Sequence, residues 1–139
     1  MDQGGKMILS FRFSSDIKLM NLLFDSMEGF CKALELDLNS CWKEFLALRE
    51  VVTNAVLHGN KQDPAKKVEI VIERKPDRLV FVVKDEGKGF DFEAEGKEPE
   101  TEEEILAVSG RGLFLAKRIM DKVSYRYEEG SIIEMEKEL

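Results

Sequence analysis

A carboxylate and a carboxamide stand four residues apart in the stretch of residues 50–59, which is otherwise mostly apolar. In a helix, this spacing places the side chains of Glu50 and Asn54 on one face, about one turn apart. If the helix packs against a sheet, burying polar groups without partners costs roughly 2–7 kcal/mol. If buried, the pair predicts a hydrogen bond, a metal or a ligand at this face, although alone it is more typical of a solvated helix edge.

Two glycine-containing stretches further along the chain add to this pattern. Asp85-x-Gly87-x-Gly89 follows an apolar strand, where an aspartate can accept a hydrogen bond from an amine and glycines let a ligand approach closely. Gly110-x-Gly112 is predicted to open a helix, whose exposed N–H groups and positive end suit phosphate oxygens. Each stretch alone is also compatible with an ordinary turn or helix start.

Three helical segments are predicted to surround these residues. The first begins at cap residues 14–16 and continues at helical spacing to about Leu36. The second follows at once, includes Trp42 in its apolar stripe, and is expected to end in left-handed conformation at Gly59 and Asn60. The third is the helix opened by the G-x-G sequence.

Alternating apolar and polar residues predict five strands, and the turn signals between them predict two hairpins. The strands are expected near residues 8–14, 68–73, 79–83, 123–127 and 131–135. Together with the helices, they predict an α+β fold: a two-layer α/β sandwich in which a mixed, mostly antiparallel sheet carries helices on one face.

The size and composition of the chain predict one domain over residues 1–139, with a loose N-terminus at residues 1–6. The hydrophobic content is 43%, and the longest apolar run, residues 79–83, is far shorter than the roughly 20 residues of a membrane span. We therefore expect a cytoplasmic protein without membrane contact. Cys31 and Cys41 are expected to be reduced core thiols, and one histidine without a CxxC pair excludes zinc.

The net charge of −7 is concentrated in one segment. Residues 91–104 contain eight carboxylates and one lysine, so this segment carries −7 and the remainder of the chain is neutral. Nucleic acid is therefore not expected as a direct partner, because phosphate attraction needs a basic face. The segment is interpreted either as a solvated, mobile loop or as a surface that faces a basic partner.

The order and spacing of the three motifs resemble those of the GHKL ATPase superfamily, which includes gyrase, heat-shock chaperone, histidine kinase and mismatch-repair ATPases. The motifs are E-x-x-x-N-A on a helix, D-x-G-x-G-F after a strand, and G-x-G-L at a helix start. The resemblance is close over residues 44–139. It implies a Bergerat-type ATP-binding fold, with residues 91–109 at the position of the ATP lid.

The resemblance also implies a role for each motif residue. Glu50 would act as the general base, and Asn54 would hold Mg²⁺ through its side-chain oxygen. Asp85 would bind the adenine amine of ATP. The remaining motif residues would make room for the base or line the phosphates: Gly87, Gly89, Gly110, Arg111, Gly112 and Leu113.

Within the superfamily, the short chain and the sequence RGLFLAKRIMDKV are similar to the anti-sigma-factor serine/threonine kinases of bacteria. Histidine kinases usually have Asn at the position of Glu50 and Lys at that of Leu57, so this chain differs from them at both positions. His58 is interpreted as a structural residue within the nucleotide motif. The resemblance implies a kinase that sequesters a sigma factor and phosphorylates an anti-sigma antagonist of the STAS type. Relatives in that branch often form homodimers. The alternative is a nucleotide-gated binding module without kinase activity.

Overall fold

The computed structural model describes residues 5–93 and 108–139, with side chains from 108 to 112 excepted. The predicted lid-like loop at 91–109 and loose terminus at 1–6 therefore lie largely outside the described residues. The elements in chain order are β1 Met7–Ser14, α1 Ile17–Asp25, α2 Met27–Ala33, α3 Leu38–Asn54, a π-helical turn Ala55–Gly59, β2 Lys67–Arg74, β3 Arg78–Lys84, α4 Val108–Ile119, β4 Lys122–Tyr127 and β5 Ser131–Glu138.

The five described strands form one sheet in the order β1-β2-β3-β5-β4, and every neighbouring pair is antiparallel. In β2, the alternate residues Val68, Ile70 and Ile72 are fully buried, as expected for a strand with one face on the core. Helix α3 packs on this sheet, where the rings of Phe45 and Phe81 lie 5.2 Å apart. The predicted α+β sandwich with a mostly antiparallel sheet is confirmed.

The single long helix predicted before Leu36 is wrong, because the structure contains two helices that meet at Ser26. The backbone of Ser26 leaves the helical conformation at φ −94° and ψ 7°. Its hydroxyl donates to the carbonyl of Leu22 at 3.4 Å, and serine side chains compete in this way with regular helix geometry. The break still allows Met20 and Met27 to be buried on either side of it.

Helix α3 begins as predicted but changes phase near its start. Asp37 caps it by accepting the N–H of Asn39 at 3.0 Å. Cys41 has non-helical torsions of φ −120° and ψ 18°. This kink shifts the buried face, so Cys41 is buried and Trp42, predicted in the stripe, is 52% exposed.

The end of α3 also differs from the prediction. A π-helical turn at Ala55–Gly59 continues the helix, and Asn60 keeps right-handed torsions at φ −88° and ψ −5°. The left-handed residues are instead Lys61 and Gln62, at φ 52° and 57°. The physical reason is that Asn60 is held in place by buried hydrogen bonds, described below, so the chain reverses after it.

The environment of the cysteines agrees with the prediction of core thiols. Cys31 and Cys41 are both buried and free. Burial raises the pKa of Cys31 to about 12, so this thiol is not reactive at neutral pH. In the described ranges, none of the helices combines the length and apolar character that crossing a membrane requires.

Candidate functional site

A cavity of about 130 Å³ lies between α3, α4 and the adjacent strands β3 and β5. Its walls are mainly apolar side chains, and a few polar groups converge on it, which is typical of small-molecule sites. The lining residues are Val51, Asn54, Ala55, His58, Val83, Asp85, Phe90, Leu113, Ser131 and Ile133.

Asp85 is the carboxylate of this cavity, and the backbone around it fixes its position. Its Oδ1 accepts the N–H of Gly87 at 2.8 Å and that of Ser131 at 3.2 Å. Its own N–H donates to the carbonyl of Ser131 at 3.0 Å. Burial raises the pKa of the Asp85 carboxyl, and the hydrogen bonds from Gly87 and Ser131 partly oppose this. Asp85 is therefore a rigid acceptor to which a ligand amine can donate a hydrogen bond.

Glycines from three parts of the chain make this position of Asp85 sterically feasible. A Cβ on Gly59 would overlap Oδ2 of Asp85, and a Cβ on Gly87 would overlap the carbonyl oxygen of Gly59. A Cβ on Gly130 would overlap the carbonyl oxygen of Asp85. Because each approach involves backbone or the site carboxylate, a side chain at these positions would displace the site itself.

Gly89, the second glycine of the D-x-G-x-G sequence, has a different reason to be glycine. Its φ of +85° lies in the region that L side chains rarely adopt, and a Cβ would come within 2.8 Å of the Tyr125 hydroxyl. This turn directs Phe90 toward the cavity.

Asn60 connects three segments behind the site and was not predicted to have this role. It is fully buried, and its Nδ2 donates to Ser15 Oγ at 2.6 Å and to the Lys67 carbonyl at 2.9 Å. Its Oδ1 accepts the N–H of Glu86 at 2.7 Å. Asn60 therefore links two segments, the loop after β3 that carries Asp85 and the start of β2.

An aromatic cluster anchors the chain immediately after the glycine turn. The ring of Tyr125 lies 4.7 Å from that of Phe90 and is stacked on Phe92 at 5.6 Å. The Tyr125 hydroxyl accepts the N–H of Phe90 at 3.3 Å. Lys117 Nζ lies 4.1 Å from the Phe92 ring centroid and donates to the Phe92 carbonyl at 3.0 Å. The segment that leaves the cavity is thus held to β4 and α4.

Comparison with known proteins identifies the family to which this fold and cavity belong. The sequence pattern of the histidine kinase-like ATPase domain matches residues 13–137, which is nearly the whole chain. The chain belongs to the histidine kinase-like ATPase domain family. The superfamily resemblance drawn from the three motifs is therefore confirmed.

Curated relatives of this ATPase-domain chain include several named serine-protein kinase RsbW. The Bacillus subtilis protein is 34% identical over 99 residues, which are 68% of this chain and 62% of the relative. The Staphylococcus epidermidis protein is 36% identical over 96 residues, 65% of this chain and 60% of the relative. The Listeria innocua protein is 32% identical over 97 residues, which are 66% of this chain and 62% of the relative. The chain thus spans about three fifths of the length of these relatives.

The structure brings together some of the motif residues predicted for an ATPase domain. Asn54, Asp85 and Leu113 all line the cavity. Glu50 lies one turn before Asn54 on α3, is partly exposed and is not among the lining residues. In the described part of the chain, the Glu50 side chain makes no hydrogen bond or ion pair. Its carboxylate is therefore accessible beside the cavity rather than inside it.

The G-x-G residues lie in the first turns of α4, which begins at Val108, two residues before Gly110. Leu113, Ala116 and Met120 follow on the buried side, with exposures of 5% or less, and α4 packs against α3. Leu113, in the second turn of α4, is the residue of this helix that lines the cavity among the described residues. The side chain of Arg111 lies outside the described part of the structure.

No group of three or more His, Cys, Asp or Glu side chains within the described ranges could hold a metal ion. Mg²⁺ in nucleotide sites keeps several waters and is bound by phosphates plus one or two protein oxygens. Asn54, whose carboxamide lines the cavity, supplies an oxygen of the required kind. The residues present are therefore compatible with a magnesium nucleotide.

Proposed function

We propose that the cavity binds ATP, with adenine between the apolar walls and its amine donating to Asp85. The observation that carries this proposal is the backbone-fixed Asp85 carboxylate at the base of an apolar cavity in an ATPase-domain chain. Ser131, which is buried, borders the same cavity. The glycine contacts leave Asp85 no alternative position, so the acceptor is preorganised before a ligand arrives.

The phosphates would extend from the cavity toward the start of α4. Backbone N–H groups in the first helical turn have no partners within the helix and favour anions. Gly110 adds no side chain there, and Gly112 adds none at the start of the second turn. Asn54 would hold Mg²⁺ through its carboxamide oxygen. When bound, this ion neutralises charge that develops on the transferring phosphoryl group.

We further propose that the protein is a serine/threonine kinase. Glu50 would accept the proton of the attacking hydroxyl while a bond forms between that oxygen and the γ-phosphorus of ATP. The bond from the γ-phosphorus to the β–γ bridging oxygen breaks, and ADP leaves. The name of the RsbW relatives, serine-protein kinase, supports this reaction, as does the accessibility of Glu50 one turn from Asn54.

The proposed protein partners are a sigma factor, which the protein sequesters, and a STAS-type anti-sigma antagonist, which it phosphorylates. This assignment is supported by the resemblance of RGLFLAKRIMDKV to the anti-sigma kinase branch. We place the protein in the cytoplasm. A nucleotide-gated binding module without transfer activity is the second candidate, favoured by the position of Glu50 outside the cavity lining.

Two substitutions on α3 separate these functions. We expect Asn54→Ala to abolish binding of Mg²⁺-ATP in calorimetry, because the metal ligand is lost, whereas Asn39→Ala on the exposed first turn leaves it unchanged. Glu50→Gln should retain ATP and lose phosphoryl transfer to the purified antagonist, with Glu28→Gln as control. Unchanged affinity in Asn54→Ala contradicts the site. Binding of ATP by wild type without any transfer establishes the module instead.

A further inference from the structure

A groove larger than the cavity between α3 and α4 lies at the opposite end of α3. Its volume is about 790 Å³, and its walls come from the start of α3, the end of α4 and the last residues of β2 and β5. Glu44 lies in its wall and Asn54 lies at the end of the same helix, so roughly 15 Å of helix separates the two. We call this depression the distal groove, and its lining includes Trp42, Lys43, Glu44, Arg74, Arg118 and Lys137.

Glu44 is a carboxylate at a core position of α3. It shares the helical stripe of Leu48 and Val51, which are 0% and 2% exposed, and is itself only 8% exposed. Its side chain makes no hydrogen bond or ion pair within the described ranges. The neighbouring Cys41 thiol is not available to it, because that thiol donates to the Asp37 carbonyl at 3.1 Å. Since glutamate is rarely buried unless it is paired, this position calls for a cationic partner.

Two of the cations that line the distal groove lie against aromatic rings instead of Glu44. Lys43 Nζ is 5.8 Å from the centroid of the Trp42 ring, and adjacent residues on a helix do not face each other. The Arg118 guanidinium is 5.7 Å from the centroid of the Phe114 ring. Neither cation forms an ion pair in the described part of the chain.

The other two cations of the groove are engaged by oxygen atoms elsewhere. Lys137 Nζ pairs with the Asp121 carboxylate at 3.3 Å. Arg74 donates through one terminal nitrogen to the backbone carbonyls of the two residues that follow it. The described residues of the groove therefore supply no cation to Glu44.

Trp42 gives the distal groove an exposed aromatic wall. The residue is 52% exposed, and it is the one tryptophan of the chain. Tryptophan and arginine are the residue types that most often anchor protein–protein interfaces, and an indole face attracts cations, arginine above all. A buried carboxylate together with an exposed indole therefore fits a guanidinium group on a stem that packs against the ring.

We propose that the distal groove binds a segment of a partner protein that inserts one arginine side chain. The guanidinium group donates to the carboxylate of Glu44, while the stem of the arginine packs on Trp42. The exposed cations Lys43 and Arg118 repel further positive charge, so neutral or acidic residues flank the arginine in place of a basic run. Because the groove and the cavity lie at opposite ends of α3, this binding does not depend on the proposed kinase function.

Selection from a random peptide library displayed on phage tests this assignment, with wild type as the target and Glu44→Gln for counter-selection. The enriched peptides should share an arginine, and a selected peptide without tryptophan should change the fluorescence of Trp42. Replacing its arginine by citrulline, which is uncharged and of similar shape, should weaken binding by roughly tenfold or more. Glu44→Gln should weaken binding to a similar extent. Glu28→Gln, whose side chain is 74% exposed on α2, should leave it unchanged.

Three results of the selection would overturn the proposal. The first is that no peptide prefers wild type over Glu44→Gln. The second is that the enriched peptides contain no arginine, which assigns the groove to a ligand of different chemistry. The third is that the citrulline peptide binds as tightly as its arginine counterpart, since the charge on the inserted side chain then makes no contribution.

Thermal unfolding provides an independent measurement. Without peptide, Glu44→Gln should unfold at a higher temperature than wild type, because the substitution removes a buried charge that has no partner. Glu28→Gln should change the unfolding temperature little. The selected peptide should raise the unfolding temperature of wild type and not that of Glu44→Gln. A lower unfolding temperature for Glu44→Gln without peptide would show that Glu44 stabilises the fold itself, and it would overturn the proposal.

Discussion

Asp85 occupies a position where a carboxylate is unfavourable until a ligand meets it. Its pKa is raised chiefly by burial, so the folded state holds a proton at a higher pH than the unfolded state does. Stability therefore falls as pH rises from the unfolded value of 3.8 through the folded pKa. At neutral pH, the ionised side chain reduces stability and supplies the acceptor for the proposed adenine amine.

Asp85→Asn separates these two effects, since Oδ1 can still accept the N–H groups of Gly87 and Ser131. We expect affinity for ATP to fall about 10–100-fold, in line with hydrogen bonds to charged groups. We also expect the variant to be more stable than wild type near pH 7 and to lose this advantage as pH approaches 3.8. Calorimetry and chemical unfolding at several pH values measure both effects.

Asp121→Asn is the matched control for Asp85→Asn. The N–H of Glu138 and the side chain of Lys137 lower the pKa of the exposed Asp121. The ionised Asp121 therefore stabilises the fold above pH 3.8, and this stabilisation is lost as pH falls through the pKa of the folded state. This variant should be less stable near neutral pH with unchanged ATP affinity. The same pH trend in both variants would contradict the assignment for Asp85.

Asn60 offers a prediction about the support of the site. Asn60→Ala removes three hydrogen bonds and leaves the partly buried N–H of Glu86 and carbonyl of Lys67 without this partner. We expect a loss of about 2–4 kcal/mol in unfolding free energy. Asn39→Ala, at an exposed helix position, should change stability little. Denaturant unfolding makes the comparison, and equal losses would show that the buried network is not the cause.

The residues of the site differ in how far sequence could predict them. Asn54, Asp85 and Leu113 belong to motifs whose spacing is recognisable, and all three line the cavity. Asn60, Ser131 and the aromatic cluster act through contacts with residues distant in sequence, such as the 3.3 Å hydrogen bond from Phe90 to Tyr125. No local pattern indicates such contacts, which depend on how the sheet brings strands together.

At the level of elements, the π-helical turn after α3 brings Gly59 against Asp85. Gly59→Ala should displace the Asp85 carboxylate, because the new Cβ would overlap its Oδ2. We expect lower ATP affinity and lower stability in calorimetry and thermal unfolding. Gly29→Ala is the matched control, since no atom lies within 4 Å of a Cβ there. That change within α2 should raise stability by about 0.5–1 kcal/mol without altering affinity.

The elements that sequence predicted well are those with regular periodicity over their whole length. The strands β2, β3, β4 and β5 and the two hairpins were expected within a few residues of where they lie. The break at Ser26 and the kink at Cys41 are not predicted, because the apolar residues keep helical spacing across both positions. The apolar residues before and after Ser26 keep the same helical periodicity, which is compatible with one continuous helix or with two.

At the level of the whole molecule, the charge is unevenly distributed, with the net −7 concentrated in residues 91–104. If this charge acts on an incoming triphosphate, replacing Glu98 and Glu100 by Gln should speed association of Mg²⁺-ATP at low salt, on the order of two- to tenfold. The difference should vanish at high salt because of screening. Stopped-flow binding measures it.

A double substitution of equal charge, Glu28→Gln with Glu35→Gln, is the control for this experiment. Both residues are exposed on the α2 side of the molecule, and they should leave the rate nearly unchanged. Equal acceleration by the two pairs would mean that total charge, and not the charge of the segment, governs association. No effect of either pair would favour a solvated segment without influence on the nucleotide.

The sheet order has a consequence for synthesis of the protein. β5 is the last of the described strands to be made, yet it lies between β3 and β4. Until Ser131–Glu138 have left the ribosome, the apolar edge of β3 has no neighbour on that side, and the cavity lacks Ser131 and Ile133. The nascent chain therefore cannot complete this cavity early, and its exposed strand is open to chaperone binding or misassembly during translation.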